Sequence, residues 1–282
     1  MTATVSILLP VHDAAFTIDE TLARLARCDL GHPEIRREII VVDDGSSDGT
    51  TQRLRAVAAG GAFRVCFHAE HLGQGAALST GLAVATGSIV LVADATLAYD
   101  PADCGRLVAP ILAGDADVVY GSRYTAASRA VPRLSRKLAD HLVTALSNGL
   151  TNLALTDMTT TAVACRADVV RGAVLRADGC GIAAELASLF AARRCRVFEV
   201  PVAYRHPIED PGARWLESLA QLTMMARCRL RTWNLEPMTP HQPYQMPSVA
   251  PAKGMRLTRL VQPFDLEMMP ALSDRRPILR PH

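Results

Sequence analysis

The sequence predicts an α/β fold in which a mainly parallel sheet carries helices on both faces. Three observations predict it. Over about the first 120 residues apolar strand-like runs alternate with helical stretches, the connections between them are short, and polar side chains stand at the ends of the strands and not inside them. Strands joined through helices pair in parallel, and such a sheet is covered on both faces. In that architecture ligands bind beyond the carboxyl ends of the strands.

The predicted strands are short runs dominated by Val, Ile and Leu, which is typical of strands buried on both faces. They cover residues 5–9, 38–42, 63–67, 88–93 and 116–120.

The predicted helices lie between these strands. The first opens on a capping box, Thr17 to Glu20, and the second follows a cap at Ser47 or Asp48. The third runs from Gln74 to Ala85, and Asp100-Pro101 starts the fourth.

Composition and charge exclude several classes of protein. The chain has 282 residues, of which 49% are hydrophobic, so it can form one large domain with an appendage or two small domains. A net charge of +2 is too mild for a nucleic-acid-binding protein. Seven scattered cysteines without a CxxC pair favour reduced thiols. Because we find neither a signal-peptide pattern nor an apolar stretch of bilayer length, we expect a soluble or peripheral cytoplasmic protein.

Polar residues follow four of the predicted strands. His12-Asp13 follows the first, the stretch Asp43-Asp44-Gly45-Ser46-Ser47 the second, Asp94 the fourth and Gly121-Ser122-Arg123 the fifth. Each alone is ordinary turn chemistry. Their shared placement at the strand ends indicates a ligand site.

Five stretches together resemble a known family: "VSILLPVHDAAFTIDETL", "EIIVVDDGSSDGTTQRL", "HLGQGAALSTGLAVATGSIVLVADATLAYDP", "DVVYGSRY" and "VFEVPVAYR". They resemble the family 2 glycosyltransferases of the GT-A fold, and within them the polyprenyl-phosphate branch that includes dolichyl-phosphate mannose synthase. The resemblance covers about residues 3–206 and weakens after Arg123.

The resemblance implies a nucleoside diphosphate sugar as donor. The residues that it places at the nucleotide are Pro10, His12, Asp13, Asp43, Asp44 and Gly73. Of the two adjacent aspartates we favour Asp44 as the acceptor of hydrogen bonds from the base. The small residues of the third helix would let its backbone approach the nucleotide, or would serve close packing of the helix on the sheet.

The resemblance also implies a divalent metal, Mg²⁺ or Mn²⁺, and a catalytic role for Asp94. The family usually has Asp-x-Asp here, whereas this chain has Asp94 followed by Thr96 at the second acidic position. Mg²⁺ often keeps several waters and needs only one or two carboxylates besides the substrate phosphates. A lone Asp94 therefore predicts a weakened metal site, or else a chain that has lost catalysis.

Two kinds of acceptor remain open. A polyprenyl phosphate attacks through its own anionic oxygen and needs basic residues instead of a general base; the candidates are Arg123, Arg133, Arg205 and Arg214, with Arg129, Arg136 and Lys137 nearby. A hydroxyl acceptor on a small molecule or glycan needs a base. Asp157 and Glu185 are candidates for this base or for organising the site, although each also fits a charge on a helix surface.

A predicted helix near Arg133 carries leucines at four-residue spacing, namely Leu134, Leu138, Leu142, Leu146 and Leu150. Such a stripe with basic neighbours fits a helix lying on a membrane. An ordinary core-facing helix is the commoner case and shows the same leucine spacing.

The domain organisation that we predict has three parts: a GT-A domain over residues 1–212, a basic amphipathic helix over 213–235 and an irregular, Pro-rich tail over 236–282. The predicted function is transfer of a sugar, with inversion, from a nucleoside diphosphate to an acceptor, in the cytoplasm and at the inner face of the membrane if the acceptor is a lipid. The alternative is a degenerate nucleotide-sugar-binding or scaffold protein.

Overall fold

Seven strands form one sheet in the computed structural model of the chain, which describes residues 3–125, 134–173, 175–179, 181–205 and 223–224. The strands are β1 (Thr4–Val11), β2 (Arg36–Asp43), β3 (Arg64–Phe67), β4 (Ile89–Val92), β5 (Val118–Ser122), β6 (Val163–Arg166) and β7 (Val197–Pro201). The helices are α1 (Ile18–Arg27), α2 (Thr50–Ala59), α3 (Gln74–Val84), α4 (Cys104–Leu112), α5 (Leu134–Thr151), α6 (Ala167–Val170) and α7 (Gly181–Ala192).

The sheet order is β3-β2-β1-β4-β6-β5-β7. All neighbouring pairs are parallel except those made by β6, which is antiparallel to both β4 and β5. The predicted mainly parallel sheet and its first five strands are confirmed. Neither β6 nor β7 was predicted as a strand.

The strand register places the polar strand ends at one edge of the sheet. Val11 of β1 pairs with Asp43 of β2, and Leu8 pairs with Val92 of β4. The residues that follow these strands therefore emerge side by side, separated by about 4.8 Å per strand. Because β6 runs the opposite way, it begins at the same edge, and the loop before it is brought to the same place.

The core lies in two layers, one on each face of the sheet. Ile7 and Leu9 of β1 face a layer that includes α1, α2 and α4. Leu8 between them faces the opposite layer, which includes α3, α5 and α7. This alternation follows from the two-residue period of a strand and explains why β1 is apolar on both faces apart from Thr4 and Ser6.

The predicted helix starts are only partly correct. The capping box at α1 is wrong: Thr17 is the N-cap residue, but its hydroxyl donates to the Ala14 carbonyl at 3.4 Å, and Glu20 pairs with Arg24 instead. Asp100 does cap its turn, accepting a bond from the backbone N–H of Ala102 at 3.0 Å.

The leucine stripe of α5 is not part of the core. Leu134, Leu138, Leu142 and Leu146 have 71%, 60%, 61% and 43% of their surface exposed, so the core interpretation is wrong for these four. Leu150, one turn further on, is partly buried. Within the described residues, no helix combines the length and hydropathy that a membrane span requires.

The proposed segments after residue 212 lie outside the described residues, apart from Thr223 and Met224. These two are helical, and Met224 packs against the second core layer.

Close packing at α3 gives a test of the fold. The N–H of Gly75 donates to the Ala177 carbonyl at 2.9 Å, and a Cβ at Gly75 would overlap that backbone oxygen. A Cβ at Gly81 would meet only side-chain methyl groups, those of Leu8 at 3.2 Å and of Val42 at 3.5 Å. We expect Gly75→Ala to lower the free energy of unfolding by about 1–3 kcal/mol, measured by urea denaturation.

Gly81→Ala is the matched control, because both substitutions gain the same helix propensity, about 1 kcal/mol. If Gly75→Ala were as stable as Gly81→Ala, the contact with Ala177 would not constrain the fold.

Candidate functional site

Asp44 is a fully bonded carboxylate at the carboxyl edge of the sheet. It is buried, and its oxygens accept bonds from the backbone N–H groups of Leu72 at 3.0 Å and Gly73 at 2.8 Å. The Nδ1 atoms of His68 and His71 lie 2.6 and 2.8 Å from the same carboxylate. Burial alone would raise the pKa of Asp44, but the hydrogen bonds from His68 and from the two backbone groups outweigh it and lower the pKa.

Asp43 points away from this cluster. Its carboxylate accepts bonds from the Ser46 N–H at 3.2 Å and from the Thr51 hydroxyl at 2.5 Å, so it fixes the loop between β2 and α2. Of the two adjacent aspartates, Asp44 is therefore the one that reaches toward the loop before α3.

The loops after β1 and β2 are tied together through Asp13. Its backbone has a φ of 48°, its N–H donates to the Ser46 hydroxyl at 3.0 Å, and its carboxylate accepts the Ser47 N–H at 2.8 Å. Asp13 thus fixes the relative position of the two strand ends on which His12 and Asp44 stand.

His12 and His71 form a stacked pair in front of Asp44. Their ring centroids are 4.0 Å apart with 30° between the planes, and Nδ1 of His12 lies 2.9 Å from the Asp44 carbonyl oxygen. Both rings are partly exposed. Pro10, in register with Val42, lies two residues before His12 at the end of β1.

Asp94 stands two residues after β4 at the same edge. One carboxylate oxygen accepts the N–H of Thr96 at 2.6 Å, and the other accepts the hydroxyl of Thr161 at 3.3 Å. Thr161 belongs to the loop that reverse-running β6 brings to this edge. Among the described residues, no group of three His, Cys, Asp or Glu side chains could hold a metal ion. Asp94 is the carboxylate that this loop offers, and the side chain of Thr96 is exposed.

Arg123 and Asp157 form a buried ion pair at the end of β5. Nε and Nη2 of Arg123 lie 2.6 and 2.7 Å from the two oxygens of Asp157, and the backbone N–H of Arg123 donates to the same carboxylate at 3.0 Å. Burial alone would lower the pKa of Arg123, but the hydrogen bond and charge of Asp157 outweigh burial and raise the pKa, so the guanidinium stays charged.

Further contacts hold this ion pair in place. Nη2 of Arg123 also approaches Asp140 of α5 at 3.4 Å, and its guanidinium lies 5.1 Å from the ring centre of Tyr204. Glu199 of β7 accepts the N–H of Asp157 at 3.2 Å. A buried charge is tolerated in a protein only when it is paired and hydrogen-bonded to this degree.

Glu185 serves a different loop. Its carboxylate accepts the backbone N–H groups of Arg176 and Ala177, both at 2.8 Å, and thereby fixes the segment that packs on the start of α3. From that segment Asp178 accepts the N–H of Gln74 at 2.8 Å. Gly73, with a φ of 94°, turns the chain so that its N–H points at Asp44.

The small residues of α3 therefore serve packing at Gly75, as one of the two interpretations expected.

Arg133 and Arg214 lie outside the described residues. Arg205 is exposed, and its backbone N–H donates to the Ala98 carbonyl at 2.7 Å.

Several residues of the site escaped the sequence analysis. His71 opens one of the stretches that carry the family resemblance, but it was assigned no role. For His68 the only available signal was its position just after the third strand. Thr161 and Glu199 were missed because they reach the site through an unpredicted strand order.

Comparison with known proteins identifies the family. Residues 6–171 match the family model described as glycosyl transferase family 2. An undecaprenyl-phosphate 4-deoxy-4-formamido-L-arabinose transferase of Aeromonas hydrophila is 34% identical over 113 residues, which is 39% of this chain and 34% of that protein. A dolichol-phosphate mannosyltransferase of Pyrococcus furiosus is 28% identical over 120 residues, 43% of this chain and 33% of that protein. The matched part spans about a third of the length of these relatives.

Solved structures show the same fold. Glucosyl-3-phosphoglycerate synthase from Mycobacterium tuberculosis, in complex with Mn²⁺ and UDP-glucose, superposes with a TM-score of 0.62 at 23% identity, covering 80% of this chain and 79% of that one. Its complex with UDP superposes with a TM-score of 0.60 at 24% identity, covering 80% of both chains. The predicted GT-A fold is confirmed.

The bonding of Asp44 predicts a pH-dependent contribution to stability. Because its pKa is lowered on folding, the contribution is present above the unfolded pKa, near 3.9, and is lost as the pH falls through the folded value. We expect Asp44→Asn to lower the free energy of unfolding by about 2 kcal/mol at pH 7, and by less at pH 3, in urea denaturation. Asp19→Asn, which breaks an exposed pair with Arg53, should cost under about 1 kcal/mol. A deficit in Asp44→Asn that was unchanged at pH 3 would contradict this account.

The buried ion pair predicts a larger loss. Asp157→Asn leaves the Arg123 charge buried without its main partner, so we expect the free energy of unfolding to fall by about 3–5 kcal/mol. Asp168→Asn breaks a half-exposed pair with Arg166 and is the control, with an expected loss under about 1 kcal/mol. Equal losses in the two variants would show that the Arg123 pair is not the stronger constraint.

Proposed function

We propose that this chain, which belongs to glycosyl transferase family 2, transfers a sugar from a nucleoside diphosphate sugar to the phosphate of a polyprenyl lipid, with inversion at the anomeric carbon. The observation that carries the proposal is the emergence of Asp44 and Asp94 at the same edge of the sheet, after strands that both pair with β1. Relatives named for transfer to polyprenyl phosphates support the acceptor class. We propose residues 1–212 as the transferase domain.

The nucleoside would bind at Asp44 and the His12–His71 pair. A base that presents a ring N–H to the Asp44 carboxylate and its flat face to His12 would take the position that the His71 ring occupies, since His71 makes the same two kinds of contact. Asp13, Asp43 and Gly73 would frame this pocket from the backbone, and Pro10 would line it.

Asp94 would act at the donor diphosphate. Its carboxylate is partly exposed and bonded only by donors, which fits a ligand for Mg²⁺ or Mn²⁺ when the diphosphate and water supply the remaining oxygens. A bound ion would neutralise the charge that develops on the leaving diphosphate. Thr161 would hold the Asp94 carboxylate in its orientation.

The acceptor would attack without a general base. Both oxygens of Asp157 are bonded to Arg123, and Glu185 accepts two backbone N–H groups, so we propose that both carboxylates organise the site and do not remove a proton. A phosphate acceptor fits this arrangement, because its oxygen is already anionic near neutral pH. That oxygen would form the bond to the anomeric carbon while the bond from this carbon to the diphosphate oxygen breaks, and the leaving nucleoside diphosphate would take the electron pair.

Basic residues would hold the acceptor phosphate. We assign Arg123 as a positioning residue, since Asp157 already engages its guanidinium, and Arg205 as a phosphate contact because its side chain is exposed at the same end of the sheet. Arg133 and Arg214 are proposed contacts on sequence grounds. A lipid acceptor would place the reaction at the cytoplasmic face of the membrane.

The metal site gives the decisive test. With Mn²⁺ present, we expect UDP- or GDP-sugars to raise the melting temperature of the protein, and we expect Asp94→Ala to abolish the metal-dependent part of that rise. Thr96→Asp would restore the second carboxylate at an exposed position and should tighten metal-dependent binding about tenfold, whereas Thr96→Asn, which adds no charge, should not.

A transfer assay with labelled donor and polyprenyl phosphate completes the test. Metal-independent binding without turnover would overturn the proposal in favour of the degenerate alternative, a nucleotide-sugar-binding or scaffold protein.

A further inference from the structure

His68 is bonded through both nitrogens of its ring. Nδ1 lies 2.6 Å from Oδ1 of Asp44, and Nε2 lies 2.9 Å from the hydroxyl oxygen of Thr80 on α3. The side chain of His68 is only 9% exposed, whereas that of His71 is 46% exposed. Because the ring is nearly buried and both of its nitrogens are engaged, His68 can act on a ligand only through Asp44.

The direction of these two hydrogen bonds follows from the chemistry of the partners. Burial raises the pKa of Asp44, and the hydrogen bond from His68 is the largest of the effects that lower it below its ordinary value. An ionised carboxylate can only accept, so we assign the proton between the two groups to Nδ1 of His68. Nε2 of the neutral ring is then an acceptor, and the Thr80 hydroxyl donates to it. Every donor in this chain of three side chains is aimed toward the carboxylate.

The backbone fixes His68 relative to Asp44. Asp43 at the end of β2 pairs with Phe67 at the end of β3, and just beyond this pair the N–H of His68 donates to the Asp43 carbonyl at 2.8 Å. The strand pairing therefore holds the backbone of His68 next to that of Asp44, and helix α3 holds the far end of the His68 ring through Thr80.

The two oxygens of Asp44 have different kinds of partner. Oδ1 accepts from His68 and from the backbone N–H of Leu72, and both of these donors are fixed by the fold. Oδ2 accepts from the N–H of Gly73, and Nδ1 of the half-exposed His71 lies 2.8 Å away. Exchange of His71 for a ligand would leave Oδ1 fully bonded and would turn one lone pair of Oδ2 toward the ligand.

We propose that His68 and Thr80 position Asp44 as a fixed, ionised hydrogen-bond acceptor, and that the site thereby selects nucleobases that present a ring N–H. This inference rests on the proposed function for the presence of a nucleotide at Asp44. Uracil and guanine carry a ring N–H on the edge that would face the carboxylate. Cytosine and adenine have an unprotonated ring nitrogen there, so an acceptor would face an acceptor. His68 is a positioning residue, because it acts on the base through Asp44.

Nucleotide binding by the full chain tests the proposal, by titration calorimetry with Mn²⁺ present. UDP and CDP share the ribose, the diphosphate and its metal contacts, so the ratio of their dissociation constants reports on the base alone. We expect CDP to bind at least about a hundredfold more weakly than UDP, because a site that accepts an N–H rejects an analogue without it. GDP and ADP give the same comparison for a site that takes a purine.

His68→Leu removes both ring nitrogens at similar side-chain volume. We expect it to weaken UDP binding about tenfold, the effect of losing one hydrogen bond to a charged group, and to leave CDP binding nearly unchanged. The CDP to UDP ratio should fall accordingly. His68→Asn keeps an amide N–H close to the position of Nδ1 and should restore most of the affinity for UDP.

Two threonines on either side of α3 give a matched pair of variants. Thr80→Val removes the hydroxyl that donates to His68 and should lower the affinity for UDP severalfold. Thr86→Val removes a hydroxyl that donates to the Glu38 carboxylate at 3.0 Å, just beyond the C-terminal end of α3. This control should bind UDP like the unchanged chain.

The outcomes separate this inference from damage to the fold and from the proposed function. Equal losses for UDP and CDP in His68→Leu would overturn the inference, since a damaged fold lowers both affinities alike, and so would a loss in His68→Asn as large as that in His68→Leu. Binding of UDP and CDP, or of GDP and ADP, without discrimination would overturn the inference and leave the proposed transfer standing. Discrimination by a chain that transfers no sugar would refute the proposed function and support the inference. A chain that bound none of the four nucleotides would refute both.

Discussion

The structure depends on one constraint, the alignment of strand ends in a parallel sheet. Because β2, β1 and β4 are neighbours that point the same way, the residues that follow them emerge at one edge within two strand spacings, and no long-range recognition among the polar residues is needed to bring them together. β6 is antiparallel to its neighbours, so the start of β6, and not its end, lies at this edge of the sheet. Thr161, in the loop before β6, therefore contacts Asp94 although 67 positions of sequence separate them.

A second constraint is that buried charges must be paired, and it decides what the candidate residues do. The family resemblance made Asp157 and Glu185 candidates for a base or for organising the site, and in the structure each is bonded to nearby donors. The same rule applies to Asp44, but with a different outcome, since one of its partners, His71, is about half exposed and rests on His12. A carboxylate whose outermost partner is at the surface is suited to exchange that partner for a ligand.

These cases show how far the sequence could be read. The strands of the first half and the placement of Asp44 and Asp94 at strand ends follow from local patterns, because each depends on residues within one strand and its loop. The partners His68 and Thr161 could not be predicted, since a hydrogen bond between distant segments leaves no periodic signal. The leucines of α5 illustrate a different limit: a stripe with helical spacing is identical in sequence whether it faces the core or the surface. The structure distinguishes the two, because α5 packs on the core through its other face, at Val143.

The proposed chemistry sets an electrostatic problem that the single carboxylate at Asp94 would ease. Transfer to a lipid phosphate brings two anions together, the donor diphosphate and the acceptor, so the main electrostatic problem is their mutual repulsion and not the removal of a proton. A single carboxylate at Asp94 would add less negative charge to that region than the usual acidic pair. On this argument Thr96 is compatible with catalysis: metal affinity would be reduced, but so would the repulsion that an anionic acceptor meets.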